Sequence, residues 1–181
     1  MVSNPGLPAQ LAVSDFELFQ LPACFAQDRA LLDERWKQLQ REAHPDKFAA
    51  QGAAAQRVAM QWSVRINEAY QRLKDPLRRA AYLCELGGVP IDAHSNTAMP
   101  GAFLMQQMAW REALDEAQST DELAALQDEV QTAHREQLAR CARLIDEEHD
   151  LTEAAQCVRG LMFIERFAHA IDARFDQMDA A

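Results

Sequence analysis

At 181 residues, 49% hydrophobic and 25% charged, the chain has the composition of one or two ordinary globular domains with a sizeable core. Its net charge of −10 argues against nucleic acid, whose phosphates need a basic surface. No apolar run nears the roughly 20 residues that span a bilayer. The first 28 residues hold Asp15 and Glu17 but no Lys or Arg, unlike a secretory signal or a mitochondrial presequence, so a cytoplasmic protein without a membrane partner is expected.

Residues 1–13, with Pro5, Gly6 and Pro8, read as a flexible leader. A short apolar segment follows (Phe16, Leu18, Phe19, Leu21) and ends at Pro22. Asp28 is placed to cap a helix running to about Ala43. At about 100° per residue, Leu32, Trp36, Leu39 and Ala43 share one face of it, while Lys37 and Arg41 share the opposite, wet face. His44-Pro45-Asp46-Lys47 then stops the helix, because a residue before proline avoids helical angles.

A second long helix begins near Gly52, with Val58, Trp62, Ile66, Ala69 and Leu73 expected as its buried stripe. Asp75-Pro76 marks a break and a fresh N-terminus. Leu77, Ala80, Ala81, Leu83, Cys84 and Leu86 form a further short helix, closed by Gly87-Gly88. Residues 88–101 read as a linker. Three helices follow, near 101–117, 120–149 and 152–178, with Ser119 or Thr120 expected to cap the second and Thr152 the third.

No strand-like alternation is found, so the fold is expected to be all-α, two antiparallel bundles in series. Charge divides along the same line. Residues 1–90 carry 11 basic and 10 acidic side chains, and residues 91–181 carry 7 and 18. Two parts with different partners are expected. Cys24, Cys84, Cys141 and Cys157 contain no closely spaced pair of the kind zinc sites use, so isolated, packed thiols are expected, with no metal and no cofactor.

Two antiparallel helices joined at His44-Pro45-Asp46, the first with a basic face, resemble the J domain. Lys47-Phe48 and the run Ile66-Asn67-Glu68-Ala69-Tyr70 add to the resemblance. What it implies is contact rather than catalysis: no nucleophile is placed and no oxyanion motif occurs, so an enzyme is not expected. In J domains the tripeptide presses on a heat-shock ATPase and raises its hydrolysis rate. The chaperone-binding residues implied are His44, Pro45 and Asp46, with Lys37, Arg41 and Lys47 steering toward an acidic patch.

The second bundle narrows the resemblance. Asp75-Pro76-Leu77-Arg78-Arg79-Ala80-Ala81-Tyr82-Leu83, Phe103-Leu104-Met105 and Arg111-Glu112-Ala113-Leu114-Asp115-Glu116 are similar to the HscB family of J-type co-chaperones of iron–sulfur cluster biogenesis. This implies a J domain over 14–87, the linker 88–101, and a three-helix client-binding domain over 102–181. The partners implied are an HscA- or DnaK-like ATPase chaperone and the cluster scaffold protein IscU. A J protein of the same architecture serving another client is the alternative.

Helical geometry points to a client surface. Phe103, Trp110 and Leu114 cluster on one side of the helix from 101, as a core stripe would. Leu104, Met105 and Met108 project from another side, continued by Glu112 and Glu116. On the last helix Val158, Leu161, Ile164, Ala168, Ile171 and Phe175 are expected to face inward, and Phe163 outward. An outward aromatic beside an apolar stripe edged with acids marks a protein-binding surface, and in the family the corresponding positions bind the scaffold. Two positions depart from the family pattern: Ala109, where an acid is expected, and Met108, where leucine is common. The cysteine module that precedes the J domain in eukaryotic members is not seen, which favours a bacterial-type protein.

Overall fold

The computed structural model describes residues 13–91 and 100–179, and every regular element among them is a helix. The leader and linker expectations fall mainly on residues 1–12 and 92–99, outside the described residues. The chain divides into two compact units between Tyr82 and Leu83.

In the first unit, helix α1 (Asp15–Phe19) is short because it is closed at both ends. The Ser14 hydroxyl and Glu17 carboxylate satisfy each other's backbone N–H groups in a capping box, and Gln20 turns the chain in the left-handed region at φ 54°. Phe16, Leu18 and Phe19 are buried, and so is Asp15. The Asp15 carboxylate is paired with Arg65 at 2.5 Å and Arg72 at 2.9 Å, both on α3 (Ala53–Lys74). Its backbone N–H donates to the Tyr82 hydroxyl at 2.9 Å.

Helix α2 (Arg29–Glu42) starts where expected, the Asp28 carboxylate accepting from Ala30 and Leu31 N–H. It buries Leu32, Leu39 and Ala43 and stacks Trp36 on Tyr70 of α3 at 4.7 Å. Helix α3 buries Ala59, Trp62, Ile66, Ala69, Tyr70 and Leu73. Val58 does not belong to this stripe and is 52% exposed. Each step of four overshoots a turn by about 40°, so Val58 stands about 80° from Ile66, whereas Ala59, seven residues back, nearly eclipses it.

Helix α4 (Pro76–Leu86) carries proline at its first position, with the Asp75 carboxylate accepting from Arg78 N–H at 2.9 Å. Leu86, expected inside, is 49% exposed. It lies nine residues after Leu77, half a turn out of phase. The helix ends in a Schellman motif: Val89 N–H donates to Cys84 C=O and Gly88 N–H to Glu85 C=O, with Gly88 at φ +80°.

The second unit takes in the end of α4 from Leu83 and a three-helix bundle of α5 (Gly101–Glu116), α6 (Thr120–Asp146) and α7 (Leu151–Asp179). Ser119 caps α6 through a capping box with Glu122. At α7 the cap is Asp150, whose carboxylate accepts from Glu153 N–H at 3.0 Å, and not Thr152. The helix starts one residue earlier than the sequence suggests, which leaves Thr152 inside its first turn. The core joins Trp110, Leu126, Val130, Ile164, Phe167 and Ile171, with Phe103, Leu114, Phe163, Ala168 and Phe175 half-buried around it.

Three of the cysteines are not isolated. Cys141 of α6 and Cys157 of α7 are hydrogen-bonded, and Cys84, at the end of α4, lies within electrostatic reach of both. All three are buried free thiols. The bond to Cys157, then burial, holds the Cys141 thiol well above its usual range, and burial pushes Cys84 up to about 11. Antiparallel pairing of α6 with α7 brings together residues sixteen apart in sequence. Among the described residues, no three His, Cys, Asp or Glu side chains are arranged to hold a metal ion.

Candidate functional site

His44 stands between α2 and a 3-10 helix, Pro45–Gln51, that links α2 to α3. Its backbone is extended (φ −63°, ψ 126°), as the following proline requires. The ring Nδ1 accepts Asp46 N–H at 3.3 Å, so His44 is the N-cap of this turn. Accepting at Nδ1 leaves Nε2–H as a donor. Lys47 N–H donates to His44 C=O at 3.0 Å, and Gly52 (φ +93°) turns the chain into α3.

The tripeptide therefore has a local structural reason to hold its shape, yet its functional groups face water. The His44 and Asp46 side chains are 59% and 89% exposed. Their nearest approach, 3.6 Å from Nδ1 to Oδ2, is too long for a hydrogen bond. The arrangement offers a donor and a carboxylate side by side on a proline-stiffened tip, suited to gripping a partner. Lys37, Arg41 and Lys47 are also exposed. Lys37 and Arg41 occupy the α2 face away from the Leu32, Leu39 and Ala43 stripe, as expected.

What sequence reasoning missed is how α2 is clasped to α3 beside that basic face. Tyr70 donates its hydroxyl to Asp33 at 2.9 Å, and the Asn67 carbonyl oxygen accepts from both Trp36 Nε1 (3.0 Å) and Gln40 Nε2 (2.7 Å). The Tyr70 bond holds the Asp33 carboxyl below its usual range, while burial and Asp33 push the Tyr70 hydroxyl up. The sequence signal was available: Asp33, Trp36 and Gln40 recur at steps of three and four next to the apolar stripe.

On the second unit, α5 turns Phe103, Trp110 and Leu114 inward. Leu104 is 44% exposed, Met105 and Met108 are each 73% exposed, and Glu112 and Glu116 continue the exposed stripe. Methionine side chains are unbranched and polarizable, and adapt to an irregular partner. Phe163 does not stand outward with them. It meets Phe103 edge-on at 5.8 Å and stacks on Phe167 at 6.1 Å, half-buried. The reason is that α7 is covered on more than one side: the face turned from Leu161 meets α5 through Phe103. Phe167, absent from the inward face read from sequence, is buried and stacks on Trp110 at 5.7 Å. Its spacing, three after Ile164 and four before Ile171, could have found it.

This geometry meets a set of close relatives. The co-chaperone protein HscB homolog of Burkholderia thailandensis is 50% identical over 169 residues, covering 92% of this chain and 96% of that protein. The chain belongs to the HscB family. The homolog from Burkholderia multivorans is 49% identical with the same coverage. A family model described as the HSCB C-terminal oligomerisation domain matches residues 99–172. Among solved structures, the chaperone HscB from Vibrio cholerae is 35% identical with a TM-score of 0.78, over 92% of this chain and 99% of that one. The human co-chaperone HscB shares the fold, at 24% identity and a TM-score of 0.86, over 96% and 91% of the two chains.

The family settles the architecture: an N-terminal J domain with a C-terminal three-helix bundle. It also makes the protein a co-chaperone. Among the described residues, the His44-Pro45-Asp46 tip and the Leu104, Met105 and Met108 stripe of α5 are both exposed.

Proposed function

We infer that the protein activates the ATPase of a heat-shock-type chaperone, HscA- or DnaK-like, and delivers to it a scaffold protein of the IscU type, aiding iron–sulfur protein maturation in the cytoplasm. The J domain, taken as residues 14–87, makes the chaperone contact through His44, Pro45 and Asp46, steered by Lys37, Arg41 and Lys47. The bundle beyond the linker 88–101 receives the scaffold on Leu104, Met105 and Met108, edged by Glu112 and Glu116, with Phe163 as the wall behind them. The observation that carries this reading is the stiffened, water-facing tip: His44 caps its own turn and buries nothing, so its side chain and that of Asp46 are spared for a partner.

The test is steady-state ATP hydrolysis by an HscA-type chaperone, with the protein titrated in, with and without an IscU-type scaffold. His44→Gln and Asp46→Asn should each abolish stimulation while the helical circular dichroism is kept. Near-normal stimulation by both would overturn the reading.

Ala109 favours a second reading, the same architecture serving another client. It is exposed on α5, where the family pattern has an acid, and so leaves a gap in the acidic edge. Scaffold binding that is absent from the intact protein and unimproved by Ala109→Glu would support that alternative.

A further inference from the structure

Arg29, Asp33, Trp36 and Gln40 recur on α2 at steps of four, three and four, and so form one row along the helix. The row runs between the buried Leu32, Leu39 and Ala43 on one side and the exposed Lys37 and Arg41 on the other. Every member reaches α3. Arg29 Nη2 donates to the Tyr70 hydroxyl at 3.3 Å, and that hydroxyl donates to Asp33. Trp36 stacks on Tyr70 and donates its indole N–H to Asn67 Oδ1. Gln40 donates to the same Oδ1 and to Ser63 C=O at 3.3 Å, and accepts from the Ser63 hydroxyl at 2.9 Å.

One atom joins the two halves of this row. Asn67 Oδ1 has two lone pairs and uses both, one for the residue immediately before Lys37 and one for the residue immediately before Arg41. The apolar core holds α2 against α3 but permits it to roll about its own axis, since Leu and Ala contacts carry little direction. The directional contacts along the row remove that freedom, and the two bonds to one acceptor, a helical turn apart, do so at the level of Lys37 and Arg41.

We propose that Asn67 is a positioning residue for chaperone engagement: it sets the roll of α2, so that Lys37 and Arg41 present their charges in a fixed relation to the His44–Asp46 tip. This rests on the chaperone reading above. Asn67 is exposed, so its loss opens no core cavity, and its effect should appear in affinity rather than in folding.

The experiment is ATPase stimulation of an HscA-type chaperone by the full chain, titrated as wild type, Asn67→Ala, Asn67→Asp, Lys37→Ala/Arg41→Ala and the triple combination. Asn67→Ala should raise the half-saturating concentration about 3- to 10-fold and leave maximal stimulation within about 1.5-fold. Asn67→Asp keeps an acceptor oxygen at the same place and should restore half-saturation to within about twofold. In the Lys37→Ala/Arg41→Ala background, Asn67→Ala should add no further loss, because there is then no charge left to position. An unchanged half-saturation, a fully additive loss, or failure of Asn67→Asp to rescue would each overturn the proposal. If wild-type protein stimulates nothing, or His44→Gln stimulates normally, the chaperone reading falls and this role with it. If wild type stimulates and only the Asn67 results fail, the role of Asn67 alone is lost.

Discussion

Phe163 stands edge-on to Phe103, their ring centroids 5.8 Å apart at an interplanar angle of 80°. The contact ties α7 to α5, directly behind the exposed Leu104 and Met105, and puts a rigid aromatic wall where the helical wheel suggested open surface. Edge-to-face pairs of this kind contribute beyond their buried area.

That placement separates two substitutions that look alike in sequence. Phe163→Ala should lower stability by about 1–3 kcal/mol, below the ~3–5 kcal/mol of a fully buried phenylalanine because the ring is only half-covered. Leu104→Ala/Met108→Ala should melt within about 0.5 kcal/mol per residue of wild type. If α5 carries the client surface, the double substitution should still weaken scaffold binding at least tenfold, since a few apolar anchors carry most of an interface's affinity. Thermal melting and scaffold titration give the two readouts. Large destabilisation by the double substitution would place its side chains in a core.

The basic face makes a salt-dependent prediction. Lys37→Ala/Arg41→Ala should weaken engagement of the chaperone strongly at low ionic strength and little at high, because exposed charges are screened over about 8–10 Å at physiological salt. Binding measured across a salt series checks it. A loss equal at all salt concentrations would mean that the substitutions act through packing.

Asp15 is a buried charge on a very short helix, held by Arg65 and Arg72. Asp15→Asn keeps the shape and removes the charge, and should cost about 3 kcal/mol, the low end for breaking a buried pair. The low end applies because the Arg65 and Arg72 side chains are 21% and 43% exposed and keep some water. Urea unfolding should show a lowered midpoint. An unchanged midpoint would mean the triad contributes no net stability.

The buried thiols predict both reactivity and a pH dependence. At pH 8 an aromatic disulfide reagent should label Cys24, which is partly exposed, well before Cys84, Cys141 and Cys157, which should react only on unfolding. Cys84 is raised in the fold to about 11, so the folded state holds its proton more tightly than the unfolded chain does. The stability this supplies is fully present below the unfolded value near 9 and is lost as pH rises toward 11. Denaturant midpoints measured from pH 8 to 11 should fall less steeply in Cys84→Ala than in wild type. Rapid labelling of three or more thiols in the native protein would contradict the packing described.

Much of this molecule is written in short-range terms. Pro45 and Pro76, the caps Asp28 and Ser119, and the recurrence of apolar side chains at helical spacing act within one turn of chain. Helix positions, the water-facing tip at His44 and the basic face at Lys37 and Arg41 are therefore legible in the amino-acid sequence by itself. The outward Leu104, Met105 and Met108 are legible for the same reason, since α5 needs only one buried stripe.

Tertiary structure decided whatever depends on how many neighbours a helix has and at what phase they meet it. Phe163 turned inward because α7 is covered from two sides, whereas the exchange of Val58 for Ala59 in the α3 stripe follows from the 100° helical step alone. Cys141 and Cys157 met through the antiparallel pairing of α6 and α7. The double bond to Asn67 needed α2 and α3 at one particular roll. These pairings depend on geometry between separate helices, and the periodicity of one helix does not say which side chains of another it will meet.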